Sequence, residues 1–205
     1  MEQNIDEKFY KKYQFIVGVD EVGRGPLCGP VVACAMILPR GYFNTEIDDS
    51  KKLSKKKREK LAEIIKKECV EFQIGEVSPK EIDEINILEA ARKAMTIAIH
   101  KLKTNFDIVL SDCMEFKKEK FKYESFVKGD AKSQNIAAAS IVAKVYRDAL
   151  MEKLSKKYPE YNFEKNSGYG TKEHLEAIKK YGIIPNVHRL SFAPVKKYQR
   201  KINKK

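Results

Sequence analysis

The chain is short of most features that would assign it by inspection. No apolar run among its 205 residues approaches the roughly 20 needed to cross a bilayer. Its opening stretch, "MEQNIDEKFYKKYQF", has no apolar signal-peptide core, so a cytoplasmic location is expected, with no membrane partner. The four cysteines (Cys28, Cys34, Cys69 and Cys113) form no CxxC pair and meet no histidine at zinc-ligand spacing, so free, mostly buried thiols are expected and no structural zinc. Neither the P-loop nor the dinucleotide-binding glycine spacing occurs, and no G-x-S-x-G elbow supports a serine hydrolase. Internal repeats, low-complexity linkers and coiled-coil stripes are also missing, which favours a single domain over residues 1–205 and a monomer.

Acidic residues are the minority: 29 Asp and Glu against 41 Lys and Arg, a net charge of +12. The basic residues cluster. "KKLSKKKREK" (51–60) and "KKYQRKINKK" (196–205) together hold one acid, and such patches favour a polyanion by releasing its counterions. A solubilising surface accounts for the charge equally well. Hydrophobic residues at 42% are enough for a chain this long to bury roughly 70% of its unfolded surface.

Patterning predicts an α/β fold. "QFIVGVD", "VVACAMIL", "VEFQIGEV" and "FDIVLSD" read as short β-branched strands, and "YESFVKGD" as a fifth that ends at Asp130. Helices are predicted over residues 54–69 behind Ser54, 86–103 behind Asn86, and 134–157 with Ile141, Val142, Val145, Ala149 and Leu154 on one stripe. A last helix lies between Thr171 and Gly182.

Three of these strands end in acid: Asp20 with Glu21, then Asp112, then Asp130. In α/β sheets functional groups gather where strand ends meet loops. Carboxylates brought together there repel one another unless a hard divalent cation such as Mg²⁺ or Mn²⁺ joins them. Each acid alone is explained as well by a solvated loop or a cap. Adjacent Asp20 and Glu21 point to opposite faces of a regular strand, so a shared cleft requires the strand to end or bulge there. Next comes "GRG", Gly23, Arg24 and Gly25, whose backbone can approach a ligand closely and whose arginine can pair with phosphate.

"VDEVGRGPLCGPVVACA", "DDSKKLSKKKRE", "KGDAKSQNIAAASIVAKVYRD", "SGYGTKEH" and "HRLSFAPV" occur in one order from about residue 14 to 195 and resemble ribonuclease HII, the type 2 ribonuclease H. The resemblance implies a ribonuclease H-like fold, with a mixed central sheet flanked by helices and a helical C-terminal part. It also implies cleavage of the RNA strand of RNA–DNA hybrids and nicking 5′ to single ribonucleotides in duplex DNA. On this basis Asp20, Glu21, Asp112 and Asp130 hold two Mg²⁺ or Mn²⁺ ions. Gly23, Arg24 and Gly25 read the ribonucleotide's 2′-OH and phosphate. Tyr169 packs on the next deoxy sugar, and Lys51 lies near the nucleic acid backbone. Ribonuclease HIII is similar in its catalytic blocks but carries an additional N-terminal domain. Where the family has Asp-Gly, this chain has Asp112-Cys113, a departure that restricts the turn.

Asp148, in "KVYRD", is the rival fourth acid, with a surface ion pair to Lys144 as its plainer role. Of the histidines, His100 suits a helix C-terminus, His174 a structural or surface role, and His188 either structure or substrate positioning. Two rival readings of the whole remain: another metal nuclease of the same fold class, and a non-catalytic nucleic-acid-binding protein. A contact between the basic tail and a polymerase clamp has no support in the sequence.

Overall fold

Hydrogen bonding runs through a five-stranded sheet in the order β3-β2-β1-β4-β5, in a computed structural model that describes residues 4–47 and 53–202. The strands are β1 (Ile16–Val22), β2 (Val31–Ile37), β3 (Glu71–Val77), β4 (Ile108–Asp112) and β5 (Tyr123–Phe126). The sheet is mixed: β1 runs antiparallel to β2 but parallel to β4, and β4 runs parallel to β5. Helices accompany it: α1 (Asp6–Tyr10), α2 (Lys55–Glu68), α3 (Pro79–Ile85), α4 (Ile87–His100), α5 (Gln134–Lys157), α6 (Phe163–Asn166), α7 (Lys172–Tyr181) and α8 (Ala193–Ile202). This is the ribonuclease H-like α/β architecture expected from the sequence.

The chain divides into two compact units. One comprises Met1–Val22, Val32–Glu76 and Arg92–Val145; the other Gly23–Val31, Val77–Ala91 and Tyr146–Lys205. In the first, Met36, Leu38, Leu61, Ile65 and the buried run from Ala137 to Ala143 form the main apolar cluster. The start of α5 is therefore buried on all sides, as all-apolar helices are. The predicted stripe fails at Ala149, which is exposed, because the buried face continues through Arg147 and Met151. Close packing of this helix explains Gly18: a Cβ there would stand 2.1 Å from the Asn135 carbonyl carbon. Asp6 of α1 accepts from the Asn135 backbone N–H (3.1 Å) and side chain (3.0 Å), capping α5 from far along the chain. In the second unit Leu27, Cys28, Met151, Tyr161, Phe163 and Ile178 pack together.

The local start signals act as predicted. Ser54, Asn86 and Thr171 each accept a backbone N–H three residues on. The helix behind Asn86 stops at His100, whose Nε2 lies 2.8 Å from Glu119 Oε2. Two strand ends differ from expectation. β1 runs on past Asp20 to Val22. β5 stops at Phe126, Lys128 turns left-handed (φ 55°), and Asp130 sits on a 3-10 turn, Gly129–Ala131. Helices α1, α3, α6 and α8 were not predicted, and α8 begins at Ala193, ahead of the basic run read as a tail.

Candidate active site

Parallel pairing of β1 and β4 sets Val19 opposite Ser111, so Asp20 and Asp112 are the next residues on adjacent strands. Neighbouring strands lie about 4.8 Å apart, so the ladder itself brings these two acids side by side. The Asp112 Oδ1 accepts from the Gly129 N–H at 2.8 Å, which ties the end of β4 to the turn carrying Asp130.

β1 does not end at Asp20. Its pairing with β2 continues through Asp20↔Cys34 and Glu21↔Ala33 to Val22↔Val32, so neither an end nor a bulge turns the adjacent acids to one side, yet the two stay close enough for the Glu21 charge to raise the Asp20 pKa. Asp20 is 7% exposed and Glu21 half-buried. The Glu21 Oε2 is buried without a hydrogen bond, although the side chain is otherwise engaged. Burial, then the Glu21 charge and, more weakly, that of Asp112 raise the Asp20 pKa well above 3.8, against hydrogen bonds from Ser140 and the Glu21 N–H (2.8 Å). Among the described residues no three Asp, Glu, His or Cys side chains close around one ion-sized point. The donor set nevertheless fits a hard cation: carboxylate oxygens only, at least one of them desolvated among like charges.

Cys113 follows Asp112 with φ 52°, the left-handed conformation that costs an L-residue about 1–2 kcal/mol. Its N–H donates to the Phe126 carbonyl at 3.0 Å, so the strained turn is also hydrogen-bonded in place. Cys113→Gly should relieve the strain, less glycine's own entropy cost of about 0.5–1 kcal/mol. The net gain of about 0–1.5 kcal/mol should raise the unfolding temperature by up to roughly 6 °C. A fall would mean that the thiol contributes more than its conformation costs.

The glycine-arginine-glycine turn lies in the second unit, against two arginines that the sequence reading passed over. Arg189 and Arg147 are 0% and 1% exposed. The Arg189 guanidinium donates to the carbonyls of Gly23 (2.6 Å), Arg24 (3.0 Å) and Gly29 (2.8 and 3.0 Å). Arg147 donates to those of Pro30, Cys28 and Ser167, each at 3.1 Å. These carbonyls are held by buried donors, while Arg24 and Gly25 themselves are exposed. Burial and then the Arg147 charge push Arg189 down to about 9, still a cation at neutral pH.

Tyr169 is 48% exposed, and its ring lies so close to Gly25 that a Cβ there would be 3.3 Å from Cε1. This juxtaposition joins two predicted substrate-binding residues. Lys51 lies outside the described residues. His174 and His188 are both buried and hydrogen-bonded to one another, and Asp148 is half-buried on α5. All four cysteines are free, with Cys28 and Cys34 buried and Cys113 exposed.

Comparisons with known proteins bear on the whole chain. A family model described as ribonuclease HII matches residues 17–195. Ribonuclease HII of Caldanaerobacter subterraneus subsp. tengcongensis is 55% identical over 191 residues, covering 90% of this chain and 79% of the relative. The crystal structure of ribonuclease H2 from Pyrococcus horikoshii superposes with a TM-score of 0.77 at 30% identity, over 93% of this chain and 100% of that one. A second structure, of a PCNA:RNase HII complex from Archaeoglobus fulgidus, gives 0.72 at 28% identity over 85% and 92%. With a family model spanning most of its length and a relative more than half identical, the chain belongs to the ribonuclease HII family, nucleases that hydrolyse RNA in RNA–DNA hybrids.

Proposed function

We propose that this chain is a divalent-metal-dependent endonuclease. It cuts the RNA strand of hybrids and nicks duplex DNA 5′ to a single embedded ribonucleotide, leaving 3′-OH and 5′-phosphate ends, as the first step of ribonucleotide excision repair. The observation that carries this reading is the pairing of β1 with β4, which sets Asp20 beside Asp112, with the Asp20 pKa raised first by burial and then by neighbouring carboxylates.

Asp20, Glu21, Asp112 and Asp130 would hold the ions. A bound Mg²⁺ or Mn²⁺ pair supplies activation of an attacking water and charge stabilisation at the leaving 3′-oxygen. The protein's own groups do the rest. Ser140 and the Glu21 N–H hold the Asp20 carboxylate by hydrogen bonds. The Gly129 N–H fixes the Asp112 carboxylate. Gly23 and Gly25 present backbone to the 2′-OH, the group that separates RNA from DNA. Arg24 pairs with the adjacent phosphate. Tyr169 packs on the following deoxy sugar, and Lys51 approaches the backbone. Residues 1–205 act as a single catalytic domain, as a monomer, in the cytoplasm. The PCNA complex belongs to the A. fulgidus protein, and no clamp contact is assigned here.

The test is duplex DNA with one ribonucleotide, incubated with Mg²⁺, Mn²⁺ or EDTA beside an all-DNA control. Metal-dependent nicking 5′ to the ribonucleotide is expected, lost in Asp130→Asn and kept in Asp148→Asn. The reverse pattern would exchange the two acids. Cleavage of all-DNA duplex would point to another metal nuclease, and salt-sensitive binding without product to a binding protein.

A further inference from the structure

Two buried imidazoles run from the loop after α7 to the backbone of Tyr169, and their hydrogen bonds allow only one arrangement of protons. The Ile184 N–H lies 2.9 Å from His188 Nδ1, and an amide N–H can only donate, so that nitrogen carries no proton. A neutral His188 therefore bears its proton on Nε2, which faces His174 Nε2 at 3.1 Å. His174 must accept there and so carries its own proton on Nδ1, 2.8 Å from the Tyr169 carbonyl. That carbonyl, which can only accept, ends the chain of bonds; it also takes the Thr171 N–H at 2.8 Å.

The surroundings keep the pair neutral. His174 and His188 are 0% and 1% exposed, against the rings of Phe163 (5.4 Å to His174) and Tyr161 (5.4 Å to His188). Burial, then the facing His174, push His188 down to about 4. A proton added to either ring would set N–H against N–H, at Ile184 or between the two imidazoles. The segment held by this chain of bonds lacks regular structure of its own. Ser167 and Gly168 take positive φ, 49° and 83°, and the Tyr169 side chain beyond them is solvent-facing over Gly25.

We infer that His188 and His174 are positioning residues for junction recognition, a two-imidazole relay that sets the backbone, and hence the ring, of Tyr169. The inference rests on the reading of Tyr169 given under the proposed function. The imidazoles touch no substrate; they act through the tyrosine.

The experiment compares kcat/KM on duplex with one embedded ribonucleotide against kcat/KM on a uniform RNA–DNA hybrid. His174→Leu removes the donor to the Tyr169 carbonyl and should lower this ratio about tenfold, the scale of one lost hydrogen bond. Cleavage of the hybrid should change little. His174→Asn places an amide N–H where Nδ1–H was and should restore most of the ratio. Equal losses on both substrates in His174→Leu would reduce the pair to a packing role and overturn the relay. Tyr169→Ala separates the two layers. If it leaves the ratio unchanged, the reading of Tyr169 fails; if it lowers the ratio while His174→Leu does not, only the relay fails. Should His174→Leu not fold, imidazole ¹⁵N shifts of the unaltered protein decide: His174 protonated on Nδ1 with His188 on Nε2 supports the relay, and any other pair of tautomers overturns it.

Discussion

Asp20→Asn will abolish cleavage and, measured without divalent metal at neutral pH, make the protein more stable. Loss of activity should be on the order of 10³-fold or more, as for removal of one member of a catalytic set that works as a unit. The gain in stability follows from the carboxylate's position. Burial and the charges of Glu21 and Asp112 hold its folded-state pKa well above 3.8, so at neutral pH this carboxyl group opposes folding. Asparagine has nearly the same shape, can still accept the Glu21 N–H, and carries no charge. A raised carboxyl pKa means that the folded state binds more protons than the unfolded state above pH 3.8, and stability falls as pH rises through that window. The advantage of Asp20→Asn should therefore fade towards pH 3.8 and grow as pH rises above it. A gain of about 1 kcal/mol would raise Tm by roughly 2–4 °C. Unchanged nicking would remove Asp20 from the catalytic set, and a lower Tm would mean its hydrogen bonds outweigh the repulsion.

Gly23→Ala carries the second large effect, in the opposite direction. Gly23 has φ 95°, which an alanine adopts only with strain, about 1–2 kcal/mol. Its Cβ would stand 2.3 Å from Arg147 Nε and 2.7 Å from Cδ. A flexible surface arginine would swing away, but this one is buried and bonded to the carbonyls of Pro30, Cys28 and Ser167. Displacing it breaks charge-assisted bonds worth roughly 1.5–3 kcal/mol each. A total loss of about 3 kcal/mol or more is expected, a fall in Tm of at least roughly 6 °C. Nicking beside an embedded ribonucleotide and cleavage of all-RNA hybrid should both fall, since both offer the 2′-OH that the turn is proposed to read. A Tm within 1 °C of the parent would show that the turn has room to spare.

How far the sequence foretold the site depends on how local each signal is. Ser54, Asn86 and Thr171 were legible as helix starts because a cap bonds only three residues ahead. Asp112 was legible as the end of β4, whereas Asp20 and Glu21 were read as ending a strand that runs on to Val22. That Val19 pairs with Ser111, which makes Asp20 and Asp112 neighbours, is a long-range pairing that periodicity does not carry. Asp130 was read onto a strand because lysine is not a turn residue, yet Lys128 takes positive φ and ends the run. Arg147 and Arg189 were missed for a different reason. Arginine reads as surface, and their partners lie as far as 119 and 166 residues away in the chain. The helix of α1 was invisible because five residues give no periodicity, and its Asp6 bonds Asn135 instead of a neighbour.

The parallel pairing of Ile16–Val19 with Ile108–Ser111 has a consequence for how this protein can vary. The separation of Asp20 from Asp112 is indexed by backbone hydrogen bonds, not by the side chains around them. Exchange of one aliphatic residue for another along either strand changes packing but leaves the count of rungs intact. A single codon inserted or deleted within Ile108–Asp112 shifts the count by one and turns the acid to the opposite face of the sheet. Divergent descendants of this sequence should therefore exchange aliphatic residues of similar volume at the buried Val109 and Leu110 while keeping the length of the segment fixed.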